Sequence, residues 1–365
     1  MKLYSENDVI QTYILPVEVV FHPSWWYTHA GITFDRDFFF DPKKRVESEQ
    51  KMEQVLYERF GQYGLGEYHN EELPVIGAVH NAAGYIISEM LGCEVRYTDN
   101  AAPQVVPLNK EELTADPEAA FNSEVFRQFE TLIEELKGKY GYVTGDINWG
   151  GVLNIAIDVR GTDVLVDMLD YPKEVNAFFQ QIATTIERFV TYVMSETGTS
   201  SISVNRNVRH IEKPVFLHSE CTHVMISNEL YKQFLFSIDE DWSKKYRPFG
   251  IHYDGPDPHR YAEIFAQLPY LDFVDVGWGG DLKVMRKHLP KTFLNIRLDP
   301  VNILNQSKEE IRKTIRQLVE DSDNPCLTGV CCINMDDQVS DEQVGAIFET
   351  VFELREEYSK ILHNE

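Results

Sequence analysis

A chain of 365 residues with 43% hydrophobic and 25% charged side chains has the composition of a soluble globular protein, and it is long enough to bury one large core or two ordinary ones. Its formal charge of −25, from 34 basic and 59 acidic side chains, would repel a phosphate backbone, and no Lys/Arg stripe offers a local exception, so nucleic acid is not an expected partner. No apolar run is as long as a membrane span, and the first residues, Met1-Lys-Leu-Tyr-Ser-Glu-Asn7, lack the apolar centre of a signal peptide; a cytoplasmic protein that engages no membrane is expected.

Segments of strand character alternate with helical ones along the chain. Val17–Phe21 reads as the first strand and runs into His22-Pro-Ser-Trp25-Trp26. The polar and aromatic stretch Tyr27–Arg45 reads as an insertion or lid, and Glu47–Phe60 as a helix, from the spacing of Met52, Val55, Leu56 and Phe60. Val75–Val79, ending at His80, is the second expected strand, with Asn81–Leu91 as its helix. Two prolines make Thr98–Pro107 read as irregular, and Glu111–Ala120 reads as acidic and exposed. The repeat Val125, Phe126, Phe129, Leu132, Ile133, Leu136 predicts a helix over Glu124–Lys137, ended by Gly138.

From there the alternation is regular. Strands are expected at Tyr142–Asp146, Pro214–Leu217, Phe249–Tyr253, Leu271–Val276, Thr292–Ile296 and Cys326–Val330. Helices are expected at Pro172–Ser195, Ser227–Phe236, His259–Leu268, Asp281–Leu289, Lys308–Asp321 and Glu342–Tyr358.

Eight strands in β-then-α order predict an α/β fold of the (β/α)8 TIM-barrel type: a single domain over 1–365, in which residues 1–140 include an N-terminal helical and loop extension over the mouth. In such a barrel the carboxyl ends of the strands carry the active site. Here they hold His22, His80, Asp146, Glu220, Cys221, His252, Asp254, Trp278, Arg297, Asp299, Cys331 and Cys332. An open doubly wound sheet would instead call for G-x-G-x-x-G after an early strand. The nearest match, Gly61-Gln-Tyr-Gly64-Leu-Gly66, has other spacing and follows a helix.

Side chains two apart on a strand share a face, so His252 and Asp254 project together at the end of Phe249–Tyr253. An isolated His-x-Asp also suits a surface histidine and a turn-opening aspartate; its neighbours decide between the two. Five cysteines in a chain without a secretion signal are expected as thiols, free to bind metal. If the strand ends converge, then Cys331 and the group His218, Glu220, Cys221 and His223 come within reach of the same point. Mixed His, carboxylate and thiolate donors with one open position are what a catalytic zinc uses. A strand cysteine such as Cys331 serves equally well as core packing.

From about Tyr142 to the C-terminus, and more loosely before it, the chain resembles the uroporphyrinogen decarboxylase superfamily. The resemblance is carried by Arg160-Gly-Thr-Asp163 leading to Asp170-Tyr-Pro-Lys-Glu-Val175, by Ser227-Asn-Glu-Leu-Tyr-Lys-Gln-Phe234, and by Leu298-Asp-Pro300 followed by Ser307-Lys-Glu-Glu-Ile311. It is similar in particular to the branch of zinc-dependent methyltransferases that take methyl groups from corrinoid proteins. There one strand ends in H-x-C-G and the last in G-C-G-I, and the His and both Cys bind zinc. Here these read His252-Tyr-Asp254-Gly255 and Val330-Cys331-Cys332-Ile333.

The resemblance therefore implies a metal held by His252 and Cys331, with Asp254 where the family has cysteine. Glu220 is a further candidate ligand, and Cys221 a candidate replacement thiolate. The expected cofactor is zinc or another divalent ion, hardened by the carboxylate. The expected partners are a small-molecule thiol acceptor and a corrinoid carried by a second protein. Glu220 and Asp146 are the candidate catalytic residues, and His22, Trp25, Asn148, His223, Trp278 and Arg297 the candidates for substrate or cofactor binding.

The decarboxylase branch has an arginine-bearing N-terminal motif, M-R-Q-A-G-R, where this chain has His22-Pro-Ser-Trp-Trp-Tyr-Thr-His29. Uroporphyrinogen is thus not an expected substrate. Two other readings stay open: a lyase on a smaller carboxylated substrate, with Asp146 holding it and Arg297 pairing its carboxylate, and a non-catalytic tetrapyrrole- or corrinoid-binding barrel.

Overall fold

The computed structural model describes residues 9–10, 12–66, 74–76, 84–145, 147–199 and 206–362. Its centre is a curled sheet of six parallel strands in the order β1-β8-β7-β6-β5-β4, flanked by helices. The strands are β1 Val17–Phe21, β4 Phe216–Glu220, β5 Phe249–Tyr253, β6 Phe273–Val276, β7 Phe293–Leu298 and β8 Thr328–Met335. Both faces of these strands are buried, which is why they read as nearly continuous apolar runs. An antiparallel hairpin, β2 Glu94–Thr98 and β3 Ala101–Val106, stands apart from the sheet.

The eight-strand closure expected from the sequence is realised in part among the described residues. Six strands form one sheet, and Val75 pairs with Thr144 in an isolated parallel bridge where the second and third expected strands run. Residues 77–83 and Asp146, which hold the end of the second strand, His80 and one catalytic candidate, lie outside the described residues.

Helix ends follow local chemistry. Glu124–Tyr140 starts where Ser123 accepts the Phe126 N–H, and it ends at Gly141, whose φ of 81° suits a residue without a Cβ. Its apolar stripe is buried as predicted. Lys308–Asp321 begins with a full capping box between Ser307 and Glu310 and buries Ile311, Ile315 and Val319.

The expected lid at Tyr27–Arg45 is mostly helical, because Pro23, Asp35, Asp41 and Pro42 supply start signals for Pro23–Ala30, Arg36–Phe40 and Pro42–Phe60. Thr98–Pro107 belongs largely to the hairpin, turning at Asp99-Asn100, and Pro103 is accommodated in a two-stranded ribbon. The last strand starts at Thr328 because Pro325–Leu327 forms a helical turn capped by Asn324. All five cysteines are free thiols, as expected. Among the described residues no helix is long and apolar enough to cross a membrane.

Candidate functional site

The strand register decides which side chains can meet. Ser219 of β4 pairs with His252 of β5, His252 with Asp275 of β6, and Asp275 with Asn295 of β7. In-register residues of a parallel sheet point the same way, so these four share one face. On it Asp275 is the hub: Oδ2 lies 2.5 Å from His252 Nδ1, and Oδ1 accepts from Asn295 Nδ2 at 3.0 Å. Cys331 of β8 is next to this pair, with Sγ 3.2 Å from Asn295 Nδ2 and 4.0 Å from Asp275 Oδ1. Burial pushes its thiol well above the ordinary range, and Asp275 adds to the effect.

With Nδ1 of His252 committed to Asp275, its other nitrogen is left for the mouth. There Cys221, His252 and Asp254 each offer a ligand atom within 4.8 Å of the others, the one such group of three among the described residues. Burial disfavours a charged His252, but Cys221 and Asp275 outweigh it and raise its pKa to about 10. Asp254 is an ion-pair partner of Arg297, with Oδ1 3.0 Å from Nη1, yet the angles fall outside hydrogen-bond geometry and this buried oxygen accepts no hydrogen bond. A buried carboxylate oxygen without a donor is costly, and a cation between Cys221, His252 and Asp254 would satisfy it.

The donor set suits a divalent ion on three counts. It combines one thiolate, one imidazole and one carboxylate; the imidazole is oriented by a carboxylate on its far nitrogen; and the fourth position is left open.

The three residues line one end of a cavity of about 590 Å³. Gly84 and Tyr85, the hairpin residues Pro103 to Val105, and Asn148-Trp149-Gly150 complete much of its wall. The helix Val152–Arg160 turns Asn154 and Asp158 toward it, four residues apart and hence on one face. Asn154 Oδ1 accepts the Cys221 N–H at 2.9 Å, which ties the helix to the segment that carries Cys221. Burial holds the Asp158 carboxyl up at about 6, despite a hydrogen bond from Ser88.

The predicted residues separate into three sets. His252, Asp254 and Asn148 line the cavity, as does Cys221, the replacement thiolate considered from the sequence. Arg297 lies directly behind Asp254, its guanidinium over the Trp278 ring at 5.1 Å. Cys331 is on the same inner side but outside the group of three.

Glu220 does something else, because it is in register with Tyr253 rather than His252 and so faces the helices. Its Oε2 accepts the Leu153 N–H at 2.7 Å and its Oε1 the Thr222 N–H at 3.0 Å and the Thr222 hydroxyl, so both oxygens are committed to helix starts. Gly151 lies so close that a Cβ there would stand 2.6 Å from Glu220 Oε2. Glu220 thus stands outside the group formed by Cys221, His252 and Asp254.

His223 is sealed among Tyr231, Tyr253, Tyr261 and Phe265, and burial holds its pKa well below the usual value. Trp25 is core, stacked on Phe21 at 4.1 Å, so it offers no surface to a substrate. His22 caps the helix Pro23–Ala30 by accepting the Ser24 N–H.

Asp275 was missed in the sequence reading. The signal was a carboxylate inside the apolar run Phe273-Val-Asp275-Val276, a placement that requires a partner.

A scan of family models and a search of curated proteins find no match. Among solved structures, a methyltransferase from Methanosarcina mazei superposes with a TM-score of 0.63 at 14% identity, over 95% of this chain and 94% of that one. A B12-independent methionine synthase from Shewanella sp. W3-18-1, in complex with selenomethionine, superposes with a TM-score of 0.50 at 11% identity, over 98% and 100%. At these identities the likeness establishes a shared fold along nearly the whole chain.

Proposed function

We propose that this chain is a metal-dependent methyltransferase that moves a methyl group from a methylated corrinoid, carried by a partner protein, to a small thiol. The observation that carries the reading is the group Cys221, His252 and Asp254 in the wall of one cavity, with His252 backed by Asp275 and one buried oxygen of Asp254 left without a hydrogen-bond donor. The sequence resemblance supports the corrinoid donor. The names of the two superposed structures, a methyltransferase and a methionine synthase, support methyl transfer in general.

Cys221, His252 and Asp254 would hold the ion, zinc being the best match to a mixed thiolate, imidazole and carboxylate set. When bound, the ion supplies a lowered thiol pKa, so that the acceptor is a thiolate near neutral pH. The remaining roles fall to the chain. Asp275 fixes the His252 ring through Nδ1. Asp158, lining the same cavity with its carboxyl at about 6, is suited to take the proton released by the thiol. The S–C bond then forms as the bond from methyl to donor breaks, and that electron pair stays on the donor. Tyr85, Trp149 and the hairpin form part of the cavity wall against which a substrate would rest. A polycarboxylate would meet Asp158 and Asp254 there and no Lys or Arg among the lining residues, which disfavours the uroporphyrinogen reaction.

Elemental analysis of protein grown with added zinc tests the centre, with methylcobalamin and 3-mercaptopropionate as the activity probe, followed by loss of the methylcorrinoid absorbance. One metal per chain in the parent, lost in Cys221→Ala and His252→Ala and kept in Cys332→Ala, is the expected result. A metal-free parent, or unchanged metal in Cys221→Ala, would overturn it.

A further inference from the structure

The helical turn Arg206–His210 packs under the N-terminal ends of β1 and β8, at the far end of the sheet from the mouth. Glu18 of β1 fastens it there by accepting from Arg209 and pairing with His210. Asn207 of this turn is fully buried, and its Nδ2 meets three acceptors: Asn295 Oδ1 of β7 at 2.6 Å, the Val330 carbonyl of β8 at 2.9 Å and the Pro16 carbonyl just before β1 at 3.4 Å. A reversed amide would set an oxygen against three oxygens, so this side chain has one orientation. Its own Oδ1 is buried and accepts nothing, which costs stability. What the residue contributes therefore comes from its donor side.

That orientation is passed along the inner face of the sheet. Because Asn295 turns Oδ1 to Asn207, its Nδ2 faces the other way, where it donates to Asp275 Oδ1 at 3.0 Å and lies 3.2 Å from Cys331 Sγ. Asp275 accepts there with one oxygen and keeps Oδ2 for His252 Nδ1, 2.5 Å away. A histidine that donates from Nδ1 carries its lone pair on Nε2, the form a metal takes. Donor and acceptor thus alternate in one sense through Asn207, Asn295, Asp275 and His252, and none of the four side chains reaches solvent. Gly329 of β8 leaves room for the chain, since a Cβ there would stand 2.9 Å from Asn295 Oδ1.

We infer that Asn207 is a positioning residue for the candidate metal centre: from the opposite end of the sheet it fixes the sense of the Asn295 amide, and through it the Asp275 carboxylate and the ring of His252. The inference rests on the metal reading for the ion, and on the hydrogen-bond chain alone for the residue. Loss of the Asn207 donor removes one reason for the Asn295 amide to keep its sense, and a turned amide sets oxygen against the Asp275 carboxylate. His252 would then present its ring less firmly to the ion, at a site that Asn207 does not touch.

Zinc affinity, read by competition with a chelator, and urea unfolding of the metal-free protein test this on the same preparations. Asn207→Leu keeps the size and removes the donor, while Gly329→Ala leaves Asn207 intact and presses on the Asn295 oxygen from β8. Each should weaken zinc about 5-fold, less than the loss of a partner that touches a ligand directly. His218→Ala, which breaks a different buried pair, should lose stability at unchanged affinity. In an Asn295→Leu background the chain is already interrupted, so Asn207→Leu should bring no further loss of affinity, whereas a general loosening of the fold would add to it. Unchanged zinc affinity in Asn207→Leu, or additive losses in the double variant, overturns the inference. If Asn207→Leu does not fold, unchanged affinity in Gly329→Ala does so. A parent that takes up no zinc overturns the metal reading along with it, whereas a parent that binds zinc no more tightly than these variants overturns this inference alone.

Discussion

Two histidines on neighbouring strands are each paired with a buried aspartate, and the two pairs have opposite fates. His218 of β4 donates from Nδ1 to Asp239 at 2.7 Å, and His252 of β5 is 2.5 Å from Asp275 in the same manner; all four side chains are buried. The difference is in the second nitrogen. His218 Nε2 accepts the Val152 N–H at 3.2 Å, so the ring is consumed in fastening β4 to a helix start, and Tyr231 completes the Asp239 carboxylate at 2.6 Å. The corresponding nitrogen of His252 has Cys221 and Asp254 for company and a cavity in front of it. A carboxylate behind a histidine therefore does not mark function by itself; what the far nitrogen faces does.

The sharpest way to break this comparison is to remove each ring in turn. His218→Ala leaves Asp239 buried without the Nδ1–H donor and the Val152 N–H without an acceptor, which should cost about 3–5 kcal/mol in urea unfolding while metal per folded chain is unchanged. His252→Ala should do the reverse and abolish metal stoichiometry. If His218→Ala lost the metal at full stability, the assignment of the two pairs would be inverted.

A third buried ionic group shows the cost of charge held by cations alone. Glu18 of β1 accepts from Arg209 Nε at 2.9 Å and is 2.6 Å from His210 Nε2. Burial works against its charge, but Arg209, His210 and Arg206 prevail and lower its pKa from 4.5 to about 2. The fold favours the carboxylate, so this contribution is complete above pH 4.5 and is lost as pH falls through about 2; it amounts to about 3 kcal/mol. Urea unfolding of the parent and Glu18→Gln should differ by that much near pH 5 and converge toward about pH 2. A gap that stays constant would show that Glu18 does not carry the acid sensitivity.

Asp275→Asn sharpens the comparison on the functional side. It keeps the size of the side chain but removes the charge behind His252, and loss of such a partner weakens metal affinity by about 10–100-fold. Competition with a chelator reads this directly. The corresponding Asp239→Asn should leave metal affinity where it was.

Much of this was legible in the sequence, and the limits have physical causes. Val17–Phe21, Phe249–Tyr253 and Lys308–Asp321 were read with the bounds they have, because apolar runs and capping residues are local signals. The mouth residues His252 and Asp254 were legible because strand parity relates them within a single strand. The side on which Glu220 lies was not legible, because parity between strands depends on register, which only the pairing of Ser219 with His252 reveals; a shift of one residue turns a side chain from the mouth to the helices. Cys331 carries the likeness to a ligand motif, yet its neighbours Asn295 and Asp275 come from strands far away in sequence. Arg297 was legible as a strand-end residue suited to pair a carboxylate, whereas its placement behind Asp254 and over Trp278 depends on neighbours that only the fold brings together.

The smallest expected effect bears on Glu220, whose role separates the two faces most finely. Thr222 donates its hydroxyl and its N–H to Glu220 Oε1, and Leu153 donates its N–H to Oε2. Thr222→Val keeps the shape and the backbone donor but removes one hydrogen bond. If Glu220 is a fastening between β4 and the helix Val152–Arg160, stability should fall by about 1 kcal/mol, because the two N–H donors still hold the carboxyl, and metal content should not change. If Glu220 were instead a ligand or a catalytic group, freeing one of its oxygens would alter metal affinity or the pH profile of turnover at nearly constant stability. Measuring unfolding and metal on the same preparation therefore distinguishes a helix-facing carboxylate from a mouth-facing one, two residues beyond a histidine that has already made the same choice.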